Sequence, residues 1–527
     1  MHSVNDTLAR LRPHGLGRAA AASWLRWMVS IVVMALVFPV MIARMGAASF
    51  GLWAALTAPT NMTGLFGFGV SSSVVSILGR SLGRARACPD EAAAGRHLGD
   101  AGGCARSGLL LSGVAAVVAV AVGWAVSGPM VELLHVPAAQ AADAQWLFRA
   151  SSLCLGGMLL GAGITAVLEA VGRIDLSAAA LGIVAVSNAL FLLVAVLVRP
   201  DFRSLAYVSA ATAVTNVIVP LAFLQGSGSG VVLRWGTVNR TTLRGLCVLA
   251  LSLGAVGALG TLIDPAVKWT VGALGGGVPV ATYEVASRIT LLVAGSFAAL
   301  IAPLFPHYAR VLTEFGTEYV SMRVSSASRL LTAVALPSLA LFAAVSAAVM
   351  QLWLGSDVPA GAVASVEILA VSSAASLAVR AAWGALAAGG HGRRLLVVQV
   401  GNVCLVGVCL AAVTAGRAVP IDVAAAVAVA AGALLGALLT LVEYGRAFGA
   451  EAARSLVRSA ADGLILAAVV TPVALATRLL GMPAAVQLGA AIVSWAILMG
   501  YLYRREPELR ALSQRAVSRL RGSTDAA

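Results

Sequence analysis

An acidic and a basic residue stand four positions apart inside one long apolar stretch of this chain. The stretch runs from about Ala281 to Pro306. The two residues, Glu284 and Arg288, lie near its beginning, and no charged residue follows them within it. Residues four apart share one face of a helix, and an acid on the N-terminal side of a base is favourable. Because roughly 20 apolar residues cross a bilayer as a helix, the pair is predicted to lie in or at a membrane.

Two interpretations of this pair follow from its position. A charge at the centre of a bilayer costs about 2.5–3.5 kcal/mol on insertion scales, so such residues normally face a partner or a watery cavity. In the first interpretation Arg288 lines a central cavity and Glu284 orients it. In the second the two form an ion pair at the membrane surface, since Glu284 is only about one turn from the predicted helix start. The stretch alone leaves both open.

The composition predicts a polytopic membrane protein. The 527 residues are 60% hydrophobic and 11% charged, whereas a soluble domain is about 25% charged. A backbone in lipid must form helices or a closed barrel, and continuous apolar runs favour helices. No cleavable signal peptide is apparent, and the first apolar run, from about Ser23 to Ala43, is predicted to be the first spanning helix.

The apolar runs predict an all-α fold of about 14 transmembrane helices, in two pseudo-symmetric six-helix lobes plus two C-terminal helices. Helix 2 is expected to be interrupted by Pro59, Gly64, Gly67 and Gly69. Helix 7 is expected to end at Asp264-Pro265. The predicted divisions are a cytoplasmic N-terminal arm (1–22), an N-lobe (23–225), a Gly/Ser-rich cytoplasmic linker (226–244), a C-lobe (245–445), helices 13 and 14 (446–503) and a basic cytoplasmic tail (504–527).

The positive charge predicts an orientation and argues against nucleic-acid binding. The net charge of +14 comes mainly from arginines between the apolar runs, where they favour the cytoplasmic side. An even number of helices places both termini on that side. The outer loops then keep few basic residues, namely Arg44, Arg199, Arg203, Lys268, Arg417 and Arg478.

Two short matches at one spacing indicate an internal duplication. Val171-Gly172-Arg173 matches His391-Gly392-Arg393, and Met130-Val131-Glu132-Leu133 resembles Met350-Gln351-Leu352-Trp353. Both pairs are 220 positions apart, from 172 to 392 and from 130 to 350. Six helices per half give a parallel repeat, in which two lobes enclose a central cavity and rock to give alternating access.

Several motifs resemble those of the Wzx-type polysaccharide flippases, in the multidrug/oligosaccharidyl-lipid/polysaccharide exporter superfamily. The resemblance covers about residues 25–445, and many members carry an acid where this chain has Gly67. The matching motifs are Arg44-Met45-Gly46 with Phe50-Gly51-Leu52-Trp53, Phe66-Gly67-Phe68-Gly69, Tyr283-Glu284-Val285-Ala286-Ser287-Arg288 with Pro303 and Pro306, Leu352-Trp353-Leu354-Gly355, and Gly392-Arg393.

The resemblance implies an export step rather than an enzyme activity. A family member moves an undecaprenyl-pyrophosphate-linked oligosaccharide from the cytoplasmic to the outer face of the bacterial inner membrane, for O-antigen, capsule or exopolysaccharide synthesis. The implied partners are this lipid-linked oligosaccharide, membrane lipids, and a polysaccharide polymerase with its chain-length machinery. No cofactor, metal or nucleic acid is implied.

The family's cavity is cationic, which suits a pyrophosphate. Arginine pairs bidentately with phosphate oxygens and stays charged in a low-dielectric site. Interface anchoring is the favoured interpretation for the two arginines at helix ends, and the cavity is favoured for the three inside apolar runs. The two at helix ends are Arg26 and Arg44, and the three inside apolar runs are Arg149, Arg288 and Arg380.

Three acids are candidates for orienting the arginines or coupling to an ion. Glu284 is expected to orient Arg288, whereas Glu367 is too far along its helix to neutralise Arg380 locally. Asp264 is a coupling candidate, against the simpler interpretation that it caps a helix or pairs with a loop arginine.

Two other classes of function remain open. A flippase for the lipid-linked peptidoglycan precursor, or a drug exporter of the same superfamily, would share the fold, although a cationic cavity disfavours cationic drugs. A membrane-bound sugar polymerase or ligase would need a catalytic constellation, and the six histidines are scattered without metal-ligand spacing.

Overall fold

The computed structural model describes residues 35–88, 90–234, 237–301, 304–355, 358–359, 361–416 and 419–506, together with 28, 29 and 510. The predicted N-terminal arm, Arg26, Arg417 and most of the basic tail lie outside the described residues. Within the described ranges the chain is nearly all helix and has no strand. Each of the predicted helical segments contains described helix.

The helices are named here in chain order. They are α1 (Ala35–Met45), α2 (Ala47–Leu56), α3 (Thr63–Ala87), α4 (Glu91–Leu133), α5 (Ala138–Val171), α6 (Ile174–Val198), α7 (Phe202–Gly226), α8 (Arg240–Gly275), α9 (Gly277–Ile301), α10 (Leu304–Ala344), α11 (Ser346–Leu354), α12 (Ala362–Ala378), α13 (Arg380–Ala388), α14 (Gly392–Gly416), α15 (Ile421–Phe448), α16 (Ala450–Leu479) and α17 (Ala484–Arg505), with 3₁₀ segments at Ala58–Met62 and Ser229–Arg234.

The lengths and apolar character of these helices confirm the predicted all-α membrane fold. Nine of the described helices are long and apolar enough to cross a bilayer, or eleven if each bent pair forms one span. One such pair is α12 and α13, which bend by 44° at Val379. Some helices exceed the membrane: α4 has 43 residues, about 65 Å at 1.5 Å per residue, against a hydrocarbon core of about 30 Å.

Two predicted helix boundaries had different outcomes. The interruption of helix 2 is confirmed at Pro59, because the 3₁₀ segment Ala58–Met62 separates α2 from α3. At Gly64, Gly67 and Gly69 the predicted interruption is wrong, because α3 continues through all three. The predicted end of helix 7 is wrong, because α8 continues through Pro265 to Gly275. Proline is tolerated inside membrane helices where neighbours satisfy the freed backbone groups. Lys268 therefore lies inside a helix and not in an outer loop.

The chain packs as two groups of helices, called the halves here, that meet along an extended contact. Helices α3 to α7 pack mainly on one another, as do α9 to α16, and the halves meet where α3 lies along α8 and α2 crosses α9. At Gly51 an added Cβ would come within 1.7 Å of the Gly277 carbonyl oxygen, and at Gly69 within 2.3 Å of the Ala250 carbonyl oxygen. We call this contact the seam; the absence of side chains lets its backbones approach closely.

Aromatic side chains close one end of the seam. The ring of Phe38 lies 5.3 Å from that of Phe50 and 6.4 Å from that of Trp353. The indole nitrogen of Trp353 donates to the Ala35 carbonyl at 2.7 Å. Two motifs more than 300 positions apart in sequence, around Phe50 and around Trp353, are thus brought into one buried cluster.

The two predicted repeat turns share one backbone geometry, but in the second turn it lies two positions earlier than the sequence match placed it. Gly172 has φ 97°, and the N–H of Arg173 donates to the carbonyl of Leu168. In the second turn Gly390 has φ 74°, and the next residue again donates to the carbonyl five positions back. The left-handed glycine of the second turn is therefore Gly390 rather than Gly392. Such C-terminal glycines cap the last carbonyls of a helix.

The Gly/Ser-rich segment between the halves packs against the first half. Val232 in the 3₁₀ segment is buried, and Arg106 Nε of α4 donates to the carbonyl of Leu233 at 2.7 Å. The segment predicted to be a flexible linker is thus held by specific contacts.

Candidate functional site

Four charged side chains from α8 and α9 form a cluster at the seam. Lys268 Nζ lies 2.7 Å from Asp264 Oδ2 and 2.5 Å from Glu284 Oε2. Arg288 Nε donates to Glu284 Oε1 at 2.7 Å. Each helix carries its acid one turn before its base, so both pairs lie on single helix faces. The antiparallel packing of the two helices then joins the pairs through Lys268 and Glu284.

The four charges of the cluster sum to zero, and their side chains differ in solvent exposure. The side chains of Lys268 and Glu284 are 1% and 2% exposed, whereas those of Arg288 and Asp264 are 21% and 36% exposed. Removing one member of a buried ion pair is costly, because the other charge is left uncompensated. Two acids and two bases avoid that cost, and only the outer pair reaches accessible space.

The first half contributes an amide to the same cluster. Asn61 Nδ2 donates to Asp264 Oδ2 at 3.0 Å, and Asn61 Oδ1 accepts from Arg288 Nη2 at 3.1 Å. Asn61 lies in the 3₁₀ segment that interrupts helix 2, so the break presents its side chain to α8 and α9. We call these five residues the seam cluster. Its two Asn61 hydrogen bonds join the halves.

The seam cluster lies inside α8 and α9 rather than at a helix end. Lys268 lies about two turns before the end of α8, and Glu284 about two turns after the start of α9. Glu284 is buried against Lys268, so the Glu284–Arg288 pair does not lie in a solvated surface turn. The expected orienting hydrogen bond from Arg288 to Glu284 is present, while its role toward a substrate stays a prediction.

A second polar region lies inside the second half, between α8, α12, α13, α14 and α15. It is a cavity of about 360 Å³, which we call the second-half cavity. Arg380 is the first residue of α13, directly after the bend at Val379, and its guanidinium carbon lies 5.5 Å from the ring centre of Trp383. Among the described residues no acid forms an ion pair with Arg380.

The other predicted arginines lie apart from both regions. Arg149 Nε donates to Ser127 Oγ at 3.0 Å, and its guanidinium carbon lies 5.9 Å from the ring centre of Trp124, between α4 and α5. Arg44 is exposed in the last turn of α1, and Arg26 lies outside the described residues. No contact within the described ranges joins Arg149 or Arg44 to the seam cluster.

The predicted acids are likewise separated. Asp264 belongs to the seam cluster, where it pairs with Lys268 and Asn61 instead of a loop arginine. Glu367 accepts from Arg478 Nη1 at 2.5 Å, so it takes part in a different ion pair, between α12 and α16.

Sequence reasoning missed Lys268 and Asn61. Lys268 is the only lysine in a chain that otherwise uses arginine, and it follows Asp264 by four positions. That spacing was a usable signal for an ion pair on one helix face. Asn61 had a weaker signal, as a polar residue two positions after the helix-breaking Pro59.

The geometry permits an exchange of partners at Arg288. An anion that takes N–H groups of this partly exposed guanidinium would compete with Glu284 and Asn61. Buried Glu284 would then keep Lys268 as its partner, and Asp264, which shares that ammonium, is 36% exposed and still accepts from Asn61.

The architecture that the comparisons can test is two packed groups of membrane-type helices with buried charges where they meet. No protein-family model matches this chain, and no curated protein matches it. Solved structures of MOP superfamily transporters share its fold.

A lipid II flippase, MurJ, in an inward closed conformation, has 12% identity and a TM-score of 0.64 over 92% of this chain and 99% of its own. A MOP superfamily transporter from Pyrococcus furiosus has 14% identity and a TM-score of 0.63 over 84% of this chain and 98% of its own. An inward-facing multidrug resistance MATE family transporter has 14% identity and a TM-score of 0.59 over 85% of this chain and 99% of its own. At these identities the likeness establishes the fold, that of the exporter superfamily named above.

Proposed function

We propose that this protein moves lipid-linked oligosaccharides, joined to undecaprenyl through a pyrophosphate, across the bacterial inner membrane by alternating exposure of the seam. The observation that carries the proposal is Arg288, a partly exposed guanidinium at the seam that rests on a buried Lys268–Glu284 pair. The Wzx-like motifs and the fold shared with a lipid II flippase support it.

The chemistry at Arg288 suits a pyrophosphate. A guanidinium presents a planar fork of N–H groups that matches phosphate oxygens and keeps its charge at any pH a cell meets. Charge-assisted hydrogen bonds of this kind are roughly twice as strong as neutral ones. The pyrophosphate would replace Glu284 and Asn61 as the partner of Arg288, while the lipid tail stays in the bilayer.

Loss of the Asn61 hydrogen bond would couple binding to movement. Asn61 is the described side chain of the first half that hydrogen-bonds to the charges of α8 and α9. A headgroup that occupies Arg288 would weaken this link between the halves. The halves could then separate at the seam, and alternating access requires such a separation.

The seam cluster disfavours export of cationic drugs. A cationic substrate would need an available carboxylate, and both Glu284 and Asp264 are already paired with Lys268. A lipid-linked peptidoglycan precursor carries the same pyrophosphate, so its headgroup has to be compared directly in the assay.

Reconstituted vesicles test the proposal. Purified protein is placed in liposomes with an undecaprenyl-pyrophosphate-linked disaccharide that ends in galactose, and an impermeant galactose oxidase reports headgroups that reach the outside. We expect the protein to expose the inner-leaflet pool, and Arg288→Gln to slow this at least tenfold. Arg288→Lys should recover only part of the rate, because lysine lacks the fork.

Matched controls separate this result from a folding defect. Arg203→Gln changes an exposed arginine of α7 and should transport like the unaltered protein. A second arm uses the peptidoglycan precursor in place of the disaccharide. The proposal is rejected if protein-containing and protein-free vesicles behave alike, if Arg288→Gln equals the unaltered protein, or if only the precursor is moved.

A further inference from the structure

The second-half cavity has a volume and a lining that suit a small polar ligand. Its volume of about 360 Å³ falls within the range of roughly 300–1,000 Å³ that is usual for ligand pockets. The lining comes from five helices and holds no acidic residue among the described side chains. Its polar and aromatic members used below are Thr261, Arg380, Trp383, Gln399, Asn402 and Thr440.

Two amide oxygens in the wall lack hydrogen-bond donors. Gln399 Oε1 and Asn402 Oδ1 are both buried and have no partner among the described residues. They lie three positions apart, so both fall on the face of α14 that lines the cavity. Buried acceptors are normally satisfied, so this wall calls for a ligand, or water in its absence, that donates O–H or N–H groups.

Arg380 requires a ligand that accepts hydrogen bonds, whereas the two amide oxygens require one that donates them. The guanidinium carbon of Arg380 lies 5.5 Å from the ring centre of Trp383, within the distance of a cation–π contact. Such a contact uses the charge of the guanidinium and not its N–H groups. Because no described acid pairs with Arg380, the cavity has an arginine that calls for an anion with two acceptor oxygens, such as a carboxylate.

A single ligand meets both requirements. A sugar residue with a carboxylate offers two anionic oxygens to Arg380 and several hydroxyl donors to Gln399 and Asn402. We propose that the second-half cavity is a subsite for an acidic sugar residue of the transported headgroup. This inference rests on the proposed function for its origin, while the subsite itself is separate from the seam cluster and its pyrophosphate chemistry.

The position of the cavity agrees with an entry subsite. Arg380 lies about two turns before the end of α13, and Asn402 about three turns after the start of α14. The turn between these helices is on the predicted cytoplasmic side, where the headgroup is made. The seam cluster lies toward the opposite ends of its helices.

Binding of paired soluble and lipid-linked probes tests the subsite. The probes are a free glucuronic acid–glucose disaccharide, the free glucose–glucose disaccharide, and both sugars joined through pyrophosphate to a farnesyl chain. Affinities are measured with purified full-length protein in detergent. We expect the acidic probes to bind at least fivefold more tightly than their neutral partners.

Variants assign the preference to named groups. Arg380→Gln should weaken both acidic probes at least tenfold and the neutral probes less than twofold. Asn402→Ala should weaken acidic and neutral probes alike, because the amide contacts hydroxyls in both. Arg203→Gln, far from the cavity, should change nothing, and each variant is first checked to be folded and monodisperse at the temperature of the binding measurement.

The outcomes separate the subsite from the proposed function. If Arg380→Gln weakens acidic and neutral lipid-linked probes equally, the arginine binds the pyrophosphate, and the subsite is rejected. If the acidic and neutral sugars bind equally well, the subsite is also rejected, while transport is unaffected. If the free acidic disaccharide shows the Arg380 dependence but vesicle transport fails, the subsite stands and the proposed function falls.

Discussion

The seam cluster and the second-half cavity both contain an arginine inside an apolar run, yet their electrostatic states are opposite. At the seam, Arg288 is one of four charges that sum to zero, and an amide from the other half completes the set. In the cavity, Arg380 contacts the ring of Trp383, and two amide oxygens of the wall have no donor among the described residues. One region is satisfied by the protein itself, and the other is left for a ligand to satisfy.

This difference assigns different tasks to the two regions. Balanced charges that are linked to the first half through Asn61 stabilise one arrangement of the seam and resist its opening. An arginine without an acidic partner contributes little to folding but offers its full charge to a ligand. Stability measurements therefore distinguish the regions before any substrate is known, and three substitutions should show a descending series.

The largest loss of stability is expected for Lys268→Met. This change removes the cation that two carboxylates share, in a place where Glu284 is 2% exposed. Leaving such a buried charge without its partner costs about 3–5 kcal/mol. Thermal unfolding in detergent should show a clear drop in melting temperature.

A double variant is the matched control for Lys268→Met. Lys268→Met with Glu284→Gln again balances the cluster, with Asp264 and Arg288 as the remaining charges. At least half of the lost stability should return. A Lys268→Met protein that melts like the unaltered one would show that the buried pairing contributes nothing to the seam.

An intermediate effect is expected for Asn61→Ala. It removes two hydrogen bonds to charged groups. Because Asp264 and Arg288 are partly exposed and keep their ion-pair partners, we expect a total loss of about 1.5–3 kcal/mol, the contribution of one such bond. Since these bonds join the halves, spin labels on α3 and α9 should show a broader distance distribution, in a background that lacks the six native cysteines.

The control for Asn61 is an asparagine with a similar bond inside one half. Asn188 of α6 accepts from Thr212 of α7 at 2.8 Å. Asn188→Ala should lower the melting temperature somewhat and leave the distance distribution between halves unchanged. Equal broadening in both variants would contradict the bridging role of Asn61.

The smallest effect is expected for Arg380→Gln. Its described interaction is the cation–π contact with Trp383, which contributes about 0.5–1 kcal/mol at an accessible site. The melting temperature should fall less than in Arg288→Gln, which deprives Glu284 of a partner. If Arg380→Gln proves the more destabilising of the two, Arg380 has a structural partner, and the contrast between the regions fails.

Local patterns in the chain were enough to predict much of the fold. Hydropathy located the helices, because a backbone in lipid has few alternatives to a helix. Pro59 marked the break in helix 2, since proline removes a backbone donor. The same reasoning gave a wrong helix end at Pro265, because neighbouring helices support α8 past that proline. A short stretch of sequence does not show which helices will be its neighbours.

The candidate site was predicted only in its separate members. Arg288 and Glu284 were paired by their spacing, and Arg380 was recognised as an arginine without a nearby acid on its helix. The spacing of Lys268 from Asp264 was a signal for a pair that went unused, because the wrong helix end placed Lys268 in a loop. The aromatic cluster around Phe38 joins motifs that the sequence showed only as separate resemblances.

By itself the sequence determined a helical membrane protein, the approximate course of its spans, and the charges that had to be accounted for inside them. Only the tertiary structure decided which charges are neutralised. Lys268 and Glu284 come from different helices, and Asn61 lies 227 positions from Arg288. Electrostatic energy depends on separation in space and on the surrounding dielectric, so the state of each arginine is settled only when the helices have packed.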